Sequence, residues 1–307
     1  MTTTPDWTHV LDALASAGWT ARVVAADRMD ELRSRVAGVL ASGELPGPTA
    51  DHLRGEIAFA WPDSVATPRA VVVAATPRPL TRATLSLGGE PHEIVVPPHY
   101  AGYRTVPDGL AAALGAALAP SSHAAARFEP PLKTLAACAG LSRYGRNNIA
   151  YVPGLGSYFM LAACATDVPP PADVWDEPLQ LDRCERCSAC MRACPSGAIR
   201  ADRFLLQTDR CLTSENEDEA PYPEWVDPAW HHCAVGCLRC QQACPENAGV
   251  ELRIAPAETF DQAETAAILA ATPADQLAAA TCDKLARCGL DYSPALIARN
   301  LHALIDA

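Results

Sequence analysis

Apolar positions along the first half of the chain fall into two alternating periods. Trp7, Val10, Leu11 and Leu14 recur at helical spacing, which predicts a helix over 7–17. "WTARVVAA" (19–26) then reads as a strand. Asp27 stands where it would cap a helix over 28–42, with Met29, Leu32, Val36, Val39 and Leu40 on one face. Strands are expected over "GEIAFAW" (55–61) and "RAVVVAAT" (69–76). The second is apolar through its middle, as a strand covered on both faces should be. "TLSLGGEPHEIVV" (84–96) has the form of a hairpin about Gly88-Gly89, and helices are expected over 107–119 and 131–139. These elements describe an α/β domain over 1–178 with a mixed strand order. "VPPPADVWDEP" (168–178) is a proline-rich connector. A cysteine-rich segment follows over 179–252, and short amphipathic helices over 253–307 are expected to form a small helical C-terminal cap.

Composition narrows the function classes. The chain has 307 residues, 49% hydrophobic and 20% charged, which is the balance of a globular protein. Its net charge of −12 argues against nucleic acid as a main partner, although Lys133, Arg143 and Arg146 are close enough in sequence to form a local basic patch. The first residues, "MTTTPDWTHVLDALASAG", have no basic start and no apolar core of signal type. No apolar run is long enough to cross a membrane, so a cytosolic protein is expected. In a reducing compartment, thirteen cysteines point to metal or redox chemistry rather than to disulfides.

The cysteines carry the strongest pattern. Cys184, Cys187, Cys190 and Cys194, followed by Pro195, follow the C-x2-C-x2-C-x3-C-P order of bacterial ferredoxins. Three thiols at three-residue steps wrap one cubane, and the fourth reaches the other cluster. Cys237, Cys240 and Cys244, followed by Pro245, repeat the ending but are one ligand short. Cys211, in "TDRCLTSE", supplies the missing one. The expected sets are Cys184, Cys187, Cys190 and Cys244 for one [4Fe–4S] cluster, and Cys194, Cys211, Cys237 and Cys240 for the other. Two structural zincs are the alternative, since all-cysteine zinc sites also use C-x2-C pairs. Cys233, beside His231 and His232, is an alternative to Cys237. Cys138, Cys164, Cys282 and Cys288 lie on apolar periodic segments and read as small buried hydrophobes.

The segment ahead of the cysteines, "AGLSRYGRNNIAYVPGLGSYFMLAACATDVP" (139–169), resembles the corresponding stretch of the epoxyqueuosine reductases and reductive dehalogenases. The lone cysteine ahead of "GCLRCQQACPEN" is similar to the epoxyqueuosine reductase pattern as well. The resemblance covers roughly 130–250. It implies a nitroreductase-like mixed-sheet domain that holds a cobalamin, beside a ferredoxin-like double-cluster domain that feeds it electrons. It also implies that "YGRNN", with Tyr144, Gly145, Arg146, Asn147 and Asn148, borders the corrinoid. "PGLGSYF" (153–159) reads as a tight turn into a strand, in which Gly156 and Ser157 are candidates to bring the backbone to the cofactor or simply make the turn. No Asp-x-His-x-x-Gly motif is present, in keeping with a corrinoid held without a protein histidine. The family's proton-donating aspartate falls on Ala126, leaving Glu129 as the nearest carboxylate. In a dry pocket its pKa would rise far enough for it to donate a proton.

Tyr100, Tyr103 and Arg104, in "PPHYAGYR", are expected to line a substrate pocket, with the tyrosines and His99 as candidate acids. Lys133 and Arg146 are candidates to pair with an anionic group. The acidic run 214–225 is a candidate docking surface for a basic electron donor. The resulting expectation is an iron–sulfur oxidoreductase that takes electrons from a ferredoxin- or flavodoxin-type donor and reduces a small molecule at a cobalamin-type site. A non-catalytic electron-transfer protein or reductase subunit, and a tRNA epoxyqueuosine reductase, are the alternatives. The acidic charge and the alanine at position 126 weigh against tRNA.

Overall fold

A computed structural model describes residues 5–57, 59–172 and 174–306. Its elements begin with α1 (Trp7–Ser16), β1 (Thr20–Ala25), α2 (Arg28–Ala41), α3 (Gly47–Glu56), β2 (Ala70–Pro77), β3 (Thr81–Leu87) and β4 (Glu90–Val96). Next come α4 (Val106–Leu118), β5 (Ala125–Phe128), α5 (Leu132–Cys138), β6 (Arg143–Tyr144), β7 (Ala150–Tyr151) and β8 (Phe159–Thr166). The cysteine segment holds α6 (Ala189–Ala193), α7 (Leu212–Glu217) and α8 (Arg239–Gln242). The chain ends with β9 (Glu258–Phe260), α9 (Gln262–Leu269), α10 (Ala279–Cys288) and α11 (Pro294–Ile305). Two compact units result: Met1–Pro77 with Arg104–Cys187, and Arg78–Tyr103 with Ser188–Ala307. This partition differs from the three sequential segments expected at 178 and 252. The β3–β4 hairpin groups with the cysteine segment and the C-terminal helices, and the dividing point falls after Cys187.

The first unit is built on a four-stranded sheet in the order β1-β2-β8-β5, with every neighbouring pair antiparallel. β2 pairs with β8 through Val72↔Cys164 and Val73↔Ala163. Alternate residues of a strand point to opposite faces. Ala70, Val72 and Ala74 therefore meet Leu14 of α1 and Leu110, Leu114 and Leu118 of α4, while Val71, Val73 and Ala75 meet Leu32 of α2 and Leu135 of α5. Helices on both faces explain why β2 is apolar throughout. Each fully buried leucine adds about 1.5–3 kcal/mol. Cys138 and Cys164 are buried here, as the sequence suggests; burial pushes their thiols up to about 11 and about 12.

Two expectations fail in this unit. Among the described residues of 55–61 none lies in a strand: α3 runs through Glu56, and Phe59 and Trp61 pack singly against the core, Trp61 stacked on Phe128 at 4.6 Å. Pro62 follows immediately, so the segment has no room to pair as a ladder. Ala58 and, in the connector, Asp173 lie outside the described residues. On α2, Met29 and Leu32 are buried but Val39 is exposed, and the Asp27 side chain makes no capping bond.

The second unit has a three-stranded sheet in the order β4-β3-β9, with β4 antiparallel and β9 parallel to β3. Gly88 and Gly89, at φ 62° and 88°, make the tight hairpin turn that needs two positive φ values. Ala83, Leu85, Ile94 and Val96 pack with Phe260, Ile268, Leu296, Ile297 and Leu301, so α9 and α11 cover this sheet. Asp261 caps α9: its carboxylate accepts from the amides of Ala263 at 2.8 Å and Glu264 at 2.9 Å, and Glu264 accepts from the amide of Asp261. Cys288 is buried, and burial pushes its thiol up to about 12. Cys282, also expected to be buried, is only half so. It borders an apolar cavity of about 110 Å³ among α9, α10 and α11.

Candidate iron–sulfur site

In the first unit, β6 and β7 form a short hairpin through Arg143↔Tyr151 and Tyr144↔Ala150. "YGRNN" is its turn. The Asn148 amide donates to the Gly145 carbonyl at 2.9 Å, and the Gly145 amide donates to the Ile149 carbonyl at 2.8 Å. Asn148 sits at φ 59°, a left-handed conformation that asparagine tolerates. Position 145 must be glycine because a Cβ there would meet Asn147 Oδ1 and lie 2.6 Å from the Tyr151 ring. Asn147 is buried and donates from Nδ2 to the Tyr151 hydroxyl at 3.0 Å. The Tyr144 hydroxyl lies 3.1 Å from Thr134 Oγ1.

The outer edge of β6 holds the approach to the first cysteine run. The Tyr144 amide donates to the Leu179 carbonyl at 2.9 Å, and the Leu181 amide donates to the Tyr144 carbonyl at 2.8 Å. Arg143 pairs with Asp182 at 2.9 Å. Cys184 is thereby brought against the turn. The Arg146 amide donates to Cys184 Sγ at 3.3 Å, and its guanidinium donates to the Cys184 carbonyl. Two buried polar atoms of this segment have no partner among the described residues, Ser142 Oγ and Arg146 Nε. Both can donate, so they fit a bound group bearing acceptor atoms, whether cluster sulfides or the amides of a corrinoid.

In the second unit the thiols lie in or beside very short helices: Cys190 and Cys240 fall within α6 and α8, and Cys194 ends α6. Cys211 is the N-cap of α7. Burial pushes its thiol up, the amides of Thr213 and Ser214 pull it down, and the neighbouring Cys194 pushes it up again. Burial pushes the Cys237 thiol up to about 11, with the Arg239 amide pulling down and Cys211 and Cys194 pushing up. Cys194, Cys211 and Cys237 thus lie within each other's electrostatic reach. Three of the four thiols assigned to one cluster are neighbours although they come from three separate stretches of chain. Among the described residues, no three His, Cys, Asp or Glu side chains converge closely enough to hold a single metal ion. A cubane takes one thiolate at each of four corners, so its ligands need not converge on one point. Cys233 is fully buried and packs with Leu80 and Leu238 instead, and burial pushes its thiol up to about 12.

A buried polar network fixes the loop that presents Cys237. Asn216 Nδ2 donates to the Gly236 carbonyl at 2.8 Å, and Asn300 Nδ2 donates to the carbonyls of Asn216 at 2.9 Å and Ala234 at 3.0 Å. The Tyr222 hydroxyl lies 2.8 Å from Asn216 Oδ1 and 2.6 Å from Asn300 Oδ1. His232 Nε2 accepts from the Leu238 amide at 3.1 Å. Gly236, at φ 65°, also faces the Tyr100 ring, where a Cβ would lie 2.8 Å from Cε2. No spacing in the sequence marks this network. The only signals available were a glycine directly before a cysteine and two asparagines inside helices.

Several candidates fall elsewhere. Tyr100 donates to Glu217 at 2.5 Å and meets the Tyr292 ring edge-on, which makes it part of the wall behind Gly236 rather than of a substrate pocket. Burial first, then the Glu217 charge, raises its pKa well above the usual tyrosine value, so it is a poor proton donor. Tyr103 is 69% exposed. Glu129 is not in a dry pocket: its side chain is 63% exposed and paired with Arg127, because β5 is an edge strand and ends beside solvent. Ala126 faces Ala165 across β5 and β8. Lys133 reaches the Asn148 carbonyl at 3.4 Å. Gly156 and Ser157 are buried in a turn where the Val152 amide donates to the Gly156 carbonyl at 2.9 Å. His231, two residues before Cys233, is buried against Tyr222.

Residues 183–247 match the family model described as a 4Fe–4S double cluster binding domain. This segment is a double-cluster iron–sulfur domain. Beyond it, the chain is 35% identical over 116 residues to epoxyqueuosine reductase of Yersinia pestis, covering 38% of this chain and 27% of that one. It is 30% identical over 124 residues to epoxyqueuosine reductase of Bacillus subtilis, covering 40% and 31%. The matched stretch thus spans less than a third of the length of either relative. In structure it is similar to epoxyqueuosine reductase from Streptococcus thermophilus, at a TM-score of 0.65 and 16% identity over 97% of this chain and 80% of that one. A second epoxyqueuosine reductase structure, described with an epoxyqueuosine-modified tRNA stem loop, aligns at a TM-score of 0.66 and 18% identity over the same shares. The chain has the epoxyqueuosine reductase fold. Among the described residues no helix is long and apolar enough to cross a membrane.

Proposed function

We propose that this chain is an iron–sulfur reductase that removes the epoxide oxygen of epoxyqueuosine in tRNA. The observation that carries this reading is its likeness to curated epoxyqueuosine reductases, 35% identical over 116 residues. It takes up the alternative named from the sequence in preference to a small-molecule substrate. Reducing an epoxide to an alkene consumes two electrons and two protons and releases water.

When bound, [4Fe–4S] clusters on Cys184, Cys187, Cys190 and Cys244, and on Cys194, Cys211, Cys237 and Cys240, supply one-electron transfer. Cobalamin belongs to the same proposal, and when bound it supplies a strongly reducing cobalt centre. The chain's own part is to hold the thiolates, to aim amide donors at them from Arg146, Thr213, Ser214 and Arg239, and to keep water from the Cys237 loop. A low-potential donor of ferredoxin or flavodoxin type completes the reading. Because the net charge is −12, tRNA phosphates must be met by local cations. Arg183 and Arg186, both exposed beside Cys184 and Cys187, are candidates.

A second reading, reduction of another substrate by the same electron path, is favoured by one observation. Position 126 is alanine, and Glu129 is held in a solvent-facing ion pair. One experiment separates the two. The chain is expressed in a strain lacking its own epoxyqueuosine reductase, and tRNA nucleosides are analysed. Recovery of queuosine supports the first reading. Its absence from cells in which the purified chain carries both clusters and binds hydroxocobalamin moves the assignment to the second.

A further inference from the structure

We infer that Arg146 sets the reduction potential of the cluster that Cys184 ligates, holding that cluster easier to reduce. The inference rests on the proposed ligand role of Cys184. Arg146 lies 38 residues before Cys184, in the turn of the β6–β7 hairpin, yet meets it in two ways. Its amide donates to Sγ at 3.3 Å, and its guanidinium donates to the Cys184 carbonyl. A third donor, Nε–H, is buried and has no acceptor among the described residues. Such a donor beside a cluster ligand is suited to an acceptor that arrives with the cluster.

The physical consequence follows from where the added charge goes. Reduction places negative charge on the iron and on its sulfurs. A donor hydrogen bond to a ligand sulfur stabilises the reduced state more than the oxidised one, and so does a half-buried guanidinium nearby. Both contacts therefore act in the same direction. The hairpin is well fixed for this purpose: β6 is zipped to residues 179–181, Gly145 is locked against Tyr151, and Asn147 is tied to the Tyr151 hydroxyl.

The backbone and side-chain contributions can be separated. Arg146 occupies the second position of the turn closed by the Asn148 amide and the Gly145 carbonyl, where proline is well accepted. R146P removes the amide hydrogen and the guanidinium together, whereas R146A removes the guanidinium and keeps the amide. The full chain, reconstituted anaerobically, is titrated by EPR against ambient potential. The expected result is a lower midpoint for one cluster in R146A and a lower one still in R146P, with the other cluster unchanged. At a fixed ambient potential the reduced-to-oxidised ratio of the affected cluster in R146P should fall about tenfold, about 59 mV for a one-electron couple. Wild-type midpoints in R146A with iron content intact would overturn the inference and leave the ligand assignment standing, even if R146P fails to fold. Full iron and both EPR signals in C184A would instead remove the ligand assignment, and the inference with it.

Discussion

His231 shows at the scale of one residue how a polar side chain can be buried beside the loop that carries the candidate cluster thiols. It is buried, its ring lies 4.6 Å from that of Tyr222, and neither ring nitrogen has a partner among the described residues. Burial first, then the charges of Arg299 and His232, pull its pKa down to about 4 from an ordinary 6.5. The folded protein therefore keeps it neutral through a range where the unfolded chain takes up a proton. Between pH 6.5 and about pH 4 the unfolded state binds more protons, so stability falls as pH falls through that window and is complete above it. The contribution is up to about 3 kcal/mol. Urea midpoints of the anaerobic holoprotein between pH 7 and pH 4.5 should show this loss, and H231L should show a smaller one. A variant profile that matches the wild type at every pH would contradict the assignment.

Among the elements, α11 shapes the cluster loop most directly while contributing no ligand. Asn300, fully buried on α11, donates to the carbonyls of Asn216 and Ala234, and Asn216 in turn donates to the carbonyl of Gly236, the residue before Cys237. N300A would leave two buried carbonyls short of a donor, at a cost of about 2–4 kcal/mol. The expected outcome is a lower denaturant midpoint together with partial iron loss, because the cluster loop and the helix share one network. Full iron retention with an unchanged midpoint would show the network to be dispensable. The cysteine spacing was legible in the sequence because iron fixes the order of its ligands. β2 and α4 were legible because a strand or helix packed against a core repeats its apolar positions. The Asn300 network left no such trace, since it joins residues 84 positions apart through backbone carbonyls that any residue carries. Residues 55–61 misled for the opposite reason. Phe59 and Trp61 alternate as a strand would, but they pack onto the core one at a time from an unpaired segment.

At the scale of the whole molecule, the two units depend on different forces. The first has a sheet covered by helices on both faces, a core built chiefly by apolar burial. In the second, the regular structure from Ser188 to Asn247 is α6, α7 and α8, each of four to six residues, and three single 3-10 turns. Helices that short do not hold themselves together in water, because nucleation costs more than so few backbone bonds return. Packing of Leu212, Ala234, Val235 and Leu238 supplies part of the difference, and on the proposed ligand assignment bonds from thiolates to iron would add the rest, making cluster binding in part folding energy for this stretch. Stripping the clusters with oxygen and chelator should therefore act on the molecule unevenly. Hydrogen exchange of the stripped protein should show residues 188–247 losing protection many-fold, while β1, β2 and β8 exchange as slowly as before. The sheet of β3, β4 and β9, packed on α9 and α11 by Leu85, Phe260 and Leu301, should hold an intermediate position, since it shares Ala234 and Val235 with the cluster loop. Uniform loss of protection in both units would mean that the first unit also relies on the iron, and the apolar sheet would then not be the independent core described here.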